Sequence, residues 1–488
     1  MWDWFVQGLH SIEFYAIMPH LQLTLFACFI LLADFLVERP YKYFNAICAL
    51  LGIGFSAFAL GRFWVRGDEK LAFNGLIVID SFFTFFGLLF LLATALVILM
   101  SIKYLDLEGE HEGEYYALIL FAAVGMLFMA GGTDLVTLFI GLELMALCFY
   151  LLAGFLRRDR RSNEAALKYL LLGMFSSGIL AYGFSLLYGV SGSTNIQVIA
   201  QKVAERGPGD PIVFLAMVAV AAGMFFKVAA VPFHMWAPDV YEGAPTPITA
   251  YISVASKAAS FAMLLRLFLV PLGPLRPNWE TLLAVIALAT MTIGNLAALN
   301  QDNIKRLLAY SSIGHVGYIL LGLVAGNQTG RTGIIVYLFV YTVMTIGAFA
   351  VVTGMRRADA IGDRLEDMRG LMSKNPGAAL LMLIFLLSLT GIPPTAGFIA
   401  KYYIFLALIQ AGRYELAVFA ALYVVVALYY YFRIVVMMFF SEAREPGRMT
   451  LAPGLVATLA IALVLTLAPG IYPEPLINLA RLAITPFR

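Results

Sequence analysis

Charge is the scarcest commodity in this sequence. Only 13% of the 488 residues are Asp, Glu, Lys or Arg, while 62% are hydrophobic. A soluble domain carries about 25% charged residues, so a mean hydropathy of +0.88 excludes a water-solvated globule and points to a bilayer. The formal net charge is +2. That value excludes a large electrostatic field for collecting nucleic acid, and no nucleic-acid partner is expected. Cysteine is nearly absent. Cys28, Cys48 and Cys148 lie far apart in apolar runs and form no CxxC pair, which leaves no framework for zinc, an iron–sulfur cluster or disulfides. They read as small core residues.

Other signatures are missing too. There is no Walker A motif, so ATP is not expected to drive this chain. The stretch GIGFSA at 52–57 matches a dinucleotide fingerprint only formally, because it lies inside an apolar run with no strand before it. It reads as close helix packing. No histidine pair has haem-ligand character. The N-terminus lacks a basic leader: Asp3 and Glu13 precede the first apolar run, and no small-residue cleavage site follows Leu21–Val37. That run is expected to be the first span rather than a signal peptide.

What the sequence does have is long apolar segments. A span needs about 20 apolar residues to cross a ~30 Å hydrocarbon core. Fourteen segments qualify: 12–37, 43–63, 75–101, 115–131, 134–156, 164–189, 212–236, 247–271, 280–300, 304–325, 332–355, 376–411, 415–440 and 451–470. The expected fold is all-α and integral to the membrane, with one membrane domain over residues 1–488. Segment 193–210 is too polar to cross and is expected to form a short amphipathic element on the outer face. Of the 32 Lys and Arg residues, 16 fall in the odd-numbered connections and 10 in the even-numbered connections and termini. The positive-inside rule then makes the odd connections cytoplasmic and both termini external. Arg157, Arg158, Arg160 and Arg161 mark the cytoplasmic side most clearly.

With residues in the first or last three positions of a span counted with the connections, six basic residues remain inside spans, Lys168, Lys227, Lys257, Arg266, Lys401 and Arg433, and Glu143 is their acidic counterpart. A charge at the bilayer centre costs at least ~2.5–3.5 kcal/mol, so depth sorts function from anchoring. Lys257 follows Pro247 by ten residues, which is ~15 Å of helix, near the midplane. Glu143 is at similar depth after Asp134. Lys168 lies near the cytoplasmic end of its span and reads equally well as a snorkelling lysine. Arg266 and Arg433 lie toward span ends and read as interfacial anchors. Lys227 sits before Pro232 and Pro238 in FFKVAAVPFHMWAPDV. Lys401 follows Pro393 and Pro394 in GIPPTAGFIAKYYIF. Proline removes a backbone donor and breaks the helix ladder, and broken backbone survives in a membrane only where protein buries it or water lines it. Segment 376–411 would run ~54 Å as a straight helix, so a break is expected there as well. Two proline-broken helices, each with a lysine, point to a transporter with its site near the midplane. His315 and His234 are secondary relay candidates, since imidazole exchanges protons near neutral pH; the plain alternative for each is a satisfied core histidine.

Four stretches carry a family resemblance that spans essentially the whole chain: GTDLVTLFIGLELMALCFYLL, FFKVAAVPFHMWAPDVYEGAPTPITAYISVASKAASF, NIKRLLAYSSIGHVGYILLG and LSLTGIPPTAGFIAKYYIF. The sequence resembles the antiporter-like (Mrp-type) membrane subunits of bacterial respiratory complex I, the proton-translocating NADH–quinone oxidoreductase. The resemblance implies fourteen helices with two inverted five-helix repeats, here 115–271 and 280–440, each containing a broken helix. It implies that Glu143 is the glutamate of the fifth helix and Lys227 its partner on the broken seventh. Lys257 is then the central lysine of the eighth helix, and Lys401 the exit-side residue of the broken twelfth. Some members carry a lysine on the sixth helix near the glutamate pair, which matches Lys168. His315 falls at a position of variable polar residues. Lysine at 401 matches the N-type and L-type branches, since M-type members carry glutamate there. The L-type adds a long C-terminal lateral helix, which this chain, ending soon after its fourteenth span, is expected to lack.

The resemblance further implies that this chain moves protons and holds no cofactor, with FMN, iron–sulfur clusters and quinone in other subunits. Expected partners are neighbouring antiporter-like and small membrane subunits, the lateral helix of the L-type subunit, and lipids, all in the bacterial inner membrane. The alternatives are a subunit of a multisubunit sodium/proton antiporter, a subunit of a ferredoxin- or hydrogenase-linked complex, and a structural scaffold with residual charges.

Overall fold

The computed structural model describes residues 12–38, 41–66, 69–110, 112–356, 362–442, 449 and 451–487. Among them, thirteen helices are long and apolar enough to cross a membrane by length and composition. These include α1 (Ile12–Ala33), α2 (Tyr43–Arg66), α3 (Ser81–Glu108), α4 (Gly113–Gly131), α5 (Leu135–Ala153) and α6 (Arg160–Ser191). A short α7 (Ile196–Arg206) precedes α8 (Pro211–Val228) and the half-helix α9 (Trp236–Gly243). Then come α10 (Thr246–Leu269), α11 (Arg276–Ala298), α12 (Ile304–Ala325) and α13 (Gln328–Gly354). The next crossing is made by two half-helices, α14 (Pro376–Thr390) and α15 (Ala396–Gln410), followed by α16 (Tyr414–Phe440), α17 (Pro453–Ile471) and α18 (Glu474–Ala483). Counting α14 with α15 as one crossing recovers the fourteen expected from hydropathy.

Local chemistry sets the ends of these helices. Asp80 accepts from the Phe83 amide (2.6 Å) to start α3, and Asp134 accepts from the Val136 amide (2.9 Å) to start α5. Asp210 caps α8 ahead of Pro211, and Asn303 caps α12. Each cap satisfies amides that would otherwise have no partner at the membrane boundary. Two segments depart from the hydropathy reading. The span expected from residue 75 begins at Ser81, because Lys70–Ala72 and Ile77–Ile79 pair as an antiparallel ribbon. The span expected over 212–236 stops at Val228. Segment 193–210 forms the amphipathic α7, with Ile196, Ile199 and Val203 buried. The amphipathic α18, which buries Leu476, Ile477 and Ala480, went unforeseen.

Helices α10, α12 and α13 are almost wholly buried and form the axis, while α1, α16 and α17 lie at the periphery. Small residues bring the core helices together. A Cβ on Gly125 would stand 2.6 Å from the Gly141 carbonyl oxygen, and one on Gly294 would stand 2.5 Å from the Gly314 amide. Backbones in such contact gain van der Waals packing that lipid cannot match. Gly52 of the GIGFSA stretch packs on Phe26 in the same way, whereas nothing lies near Gly54. Cys48 and Cys148 are buried as expected, but Cys28 is exposed on the outer surface of α1.

Arg266 proves to be more than an anchor. Its guanidinium donates to both oxygens of Asp80 (3.1 and 2.9 Å) and to the Ala130 carbonyl (2.5 Å), with both side chains buried. The ring of Phe82 stacks 4.9 Å from it. The pair ties α3, α4 and α10 together. Arg433 behaves as read: it binds the Leu299 and Gln301 carbonyls (3.1 and 3.2 Å) and Asp302 (2.6 Å) at the helix end. Replacing Arg266 by Met leaves Asp80 buried without its counter-charge and is expected to cost about 3–5 kcal/mol. Thermal melting of the purified protein measures this, and adding Asp80→Asn should recover part of the loss.

Candidate functional site

The two broken helices end in the same way. After α8, Ala229 adopts φ +59° and the Ala230 amide donates back to the Phe225 carbonyl (2.8 Å). The Trp236 indole donates to the Phe226 carbonyl (3.0 Å), and the Val231 amide donates to Thr290 Oγ1 (3.0 Å). The 229–235 break contains the cis Val231–Pro232 bond. After α14, Gly391 adopts φ +91° and its amide donates to the Leu387 carbonyl (2.9 Å). The Gly397 amide is taken by Ser388 Oγ (3.1 Å), and the Pro393–Pro394 bond is cis. Backbone groups freed by the breaks are therefore satisfied within the protein, as hydrocarbon surroundings demand.

Each break carries a buried lysine at a half-helix C-terminus. Lys227 occupies the last turn of α8 and is 6% exposed. Lys401, 4% exposed, donates to the Leu389 and Thr390 carbonyls at the end of α14 (3.1 and 2.7 Å). Its ammonium stands 5.0 Å from the centre of the Tyr318 ring. A helix C-terminus presents carbonyl oxygens and the negative end of its dipole, so it favours a cation.

Glu143 faces the first of these lysines. Lys227 Nζ lies 3.7 Å from Glu143 Oε1, with Ser177 between them. Lys227 donates to Ser177 Oγ (3.0 Å), and Ser177 donates to Glu143 (2.5 Å). The sequence reading paired Glu143 with Lys227 correctly but did not foresee the serine.

Lys257 is the least compensated of the three lysines. It is 2% exposed and donates to Ser312 Oγ of α12, with the Tyr241 ring 5.8 Å away. Among the described residues it forms no ion pair. A π turn over Ile252–Ser256 directly precedes it; such turns often sit at functional positions.

His315 lies on α12 between Lys257 and Lys401 in sequence order of the site. It is buried, with Nδ1 2.7 Å from the Tyr337 hydroxyl and Nε2 3.3 Å from the Tyr431 hydroxyl. Tyr431 also bonds Ser311, the neighbour of the serine held by Lys257. His315 thus joins the lysine row. His234 does not: it lies half-buried in the 229–235 break, beside the exposed Met235.

Lys168 belongs elsewhere as well. Helix α6 starts at Arg160 rather than 164, and the Lys168 side chain is 43% exposed. It pairs with Asp239 (2.8 Å) and Glu164 (2.9 Å) in a cleft of about 220 Å³ that Arg306 and Glu242 also line. Arg306 reaches Asp239 (2.7 Å) and Glu242 (3.0 Å). Next to this cleft, Lys305 is buried and donates to the Ala244 carbonyl (2.8 Å). The hydropathy reading had assigned Lys305 to a connection. Its place inside the apolar segment 304–325 was the available signal.

The sequence profile of the family described as NADH:quinone oxidoreductase/Mrp antiporter, transmembrane, matches residues 132–429, and the chain belongs to that family. Within it, the chain is 58% identical over 483 residues to NADH-quinone oxidoreductase subunit N 2 of Solibacter usitatus, covering 97% of this chain and 98% of that protein. Among solved structures it resembles a chain of respiratory complex I from Thermus thermophilus with bound aureothin, at 34% identity and a TM-score of 0.78, covering 95% of this chain and 99% of that one. A chain of the Mrp complex from Dietzia sp. shares the fold, with a TM-score of 0.85 at 23% identity over 97% of both chains.

Gly391 connects backbone and site. A Cβ there would stand 2.8 Å from Lys401 Cδ, at a φ that L side chains rarely adopt. Gly391→Ala is expected to destabilise by about 1–2 kcal/mol from the left-handed backbone alone and to push Lys401 off its carbonyls. A lowered melting temperature, together with reduced activity of the assembled complex, checks this.

Proposed function

We propose that this chain is an N-type, proton-translocating membrane subunit of NADH–quinone oxidoreductase. The observation that carries this reading is the row of three buried lysines with one carboxylate at its end, on a scaffold whose similarity runs the full length of subunit N relatives. Glu143 holds the Lys227 ammonium in place. Weakening that pair releases a proton toward Lys257 and then through Ser312, the Tyr431–His315–Tyr337 group and Lys401. Ser260 carries a buried hydroxyl without a partner among the described residues, and Tyr241 and Tyr341 lie beside Ser312; buried polar groups without a protein partner are ordinarily satisfied by internal water, which would extend the row. The segments 115–271 and 280–440 act as inverted repeats in this reading, each contributing one broken helix and its lysine.

The chain supplies neither electrons nor a redox group. FMN, iron–sulfur clusters and quinone reside in other subunits of the complex, and coupling reaches this chain through its neighbours. The side chain of Glu143 is 24% exposed on a face with Ile140, Leu147, Met174 and Phe175 uncovered. An ionisable group at that depth is not left to lipid, which supports a small membrane subunit packed on this face. Antiporter-like neighbours, the L-type lateral helix and lipids cover the remaining apolar surface. The arginine-rich turn at 157–161 supports an inner-membrane orientation with both termini in the periplasm.

Lys257→Ala made in the native host tests the relay. Loss of NADH–quinone turnover and proton pumping in membrane vesicles, with the complex fully assembled on a native gel, is the expected result. Full activity would remove the central lysine from the path. Glu143→Gln should likewise cut coupled turnover while sparing assembly, and pumping at the wild-type rate would refute the ion-pair step. Transport that depends on sodium but not on NADH would favour the multisubunit antiporter instead.

A further inference from the structure

We infer that Ser177 is the hydroxyl bridge through which the Glu143–Lys227 pair exchanges its proton; this rests on the reading of that pair given above. At 3.7 Å the lysine nitrogen and the carboxylate oxygen are beyond hydrogen-bond contact. Ser177 Oγ stands within contact of both, accepting from Lys227 (3.0 Å) and donating to Glu143 (2.5 Å). A serine hydroxyl can accept and donate at once, so the three groups form one directed chain.

The exchange balances without any other reactant. An Nζ–H bond of Lys227 breaks as a new Oγ–H bond forms, while the original Oγ–H bond breaks and its proton goes to the Glu143 carboxylate. The products are a neutral amine, an unchanged serine hydroxyl pointing the other way, and a neutral carboxylic acid. The reverse step restores both charges. Neutralising the pair by this route requires only two short proton transfers along existing hydrogen bonds, not withdrawal of a side chain from a packed interior.

The backbone holds the bridge in register. A Cβ on Gly183 would stand 2.8 Å from the Val220 amide nitrogen, and one on Gly223 would stand 2.7 Å from Leu180 Cβ, so α6 and α8 touch directly in the two turns that follow Ser177. Ser176 serves that contact by donating to the Gly223 carbonyl (3.2 Å) and has no bond to Glu143. The other titratable side chains nearby are Tyr150 of α5, which packs over Gly173, and Tyr169 of α6, with ring centres 4.8 Å apart. Neither hydrogen-bonds Ser177.

The test compares Ser177→Ala, Ser177→Thr and Ser176→Ala with Glu143→Gln, in membrane vesicles holding the assembled complex. NADH–quinone turnover and proton pumping are measured across pH. Ser177→Ala should lower coupled turnover about tenfold, the usual scale for losing a hydrogen bond to a charged group. It should also displace the pH–rate profile by about one unit, because the proton equilibrium of the pair changes by a similar factor. Ser177→Thr keeps a hydroxyl and should recover most of the rate and the original profile. Ser176→Ala removes a neighbouring hydroxyl that bonds the Gly223 carbonyl and not the pair, so it should lower the rate less than Ser177→Ala and leave the pH–rate profile in place. Should the alanine variant not assemble, Ser177→Cys, near in size and a weak hydrogen-bonding group, takes its place. A wild-type rate and profile in assembled Ser177→Ala, or in Ser177→Cys where the alanine variant does not assemble, with Glu143→Gln inactive, overturns the bridge and leaves the pair standing. Wild-type pumping in Glu143→Gln overturns the pair itself.

Discussion

An ammonium group in hydrocarbon has to be compensated, and the rest of this structure follows from the three ways it is done. Lys227 is met by a carboxylate through a serine. Lys401 is met by the open carbonyls of a half-helix. Lys257 is met by one hydroxyl and an aromatic face. These environments are unequal, and the relay proposed above would draw on that inequality. A site that holds its proton too firmly does not pass it on, and one that cannot hold it at all interrupts the row. The middle position carries the weakest compensation and is flanked by stronger ones.

The helix breaks serve this purpose. A continuous transmembrane helix uses its carbonyls internally and offers none to a cation. Ending α14 at Thr390 frees the Leu389 and Thr390 carbonyls for Lys401, and the turn at Gly391 directs them inward. Ending α8 at Val228 places Lys227 in a last turn in the same manner. The breaks also leave amides and carbonyls without helical partners. Trp236, Thr290, Ser388 and Thr395 are placed to satisfy the broken segments. The prolines interrupt the helices, and these polar side chains keep the interruptions affordable inside a bilayer.

Not every charge in a span belongs to the lysine row. Arg266 and Asp80 neutralise each other completely and cross-link three helices at one membrane face. Lys168, Asp239, Arg306 and Glu242 form an open cluster at the other. What separates these groups from Lys257 is balance: each of those cations touches a carboxylate directly, whereas Lys257 is held by one hydroxyl and a ring.

Hydropathy was sufficient to find the fourteen crossings, because insertion into lipid depends on apolar length and little else. The proline-flanked lysines were legible for a related reason: proline breaks a helix whatever surrounds it. Lys227 and Lys401 could therefore be singled out from one-dimensional information, and Glu143 and Lys257 from their depth within a span. Sidedness of helix faces could not. Apolar residues surround each transmembrane helix on all sides, so no periodicity told which face of α6 carried Ser177, that Lys305 turned inward while Lys168 reached the surface, or that Asp80 waited for Arg266. Those facts depend on which helices touch, and small residues such as Gly125, Gly183 and Gly294 decide that through close approach at positions the sequence does not mark. The sequence by itself determined a membrane protein with costly buried charges and two broken helices. Only the tertiary structure decided how each charge is compensated, because the compensating groups come from helices far away along the chain.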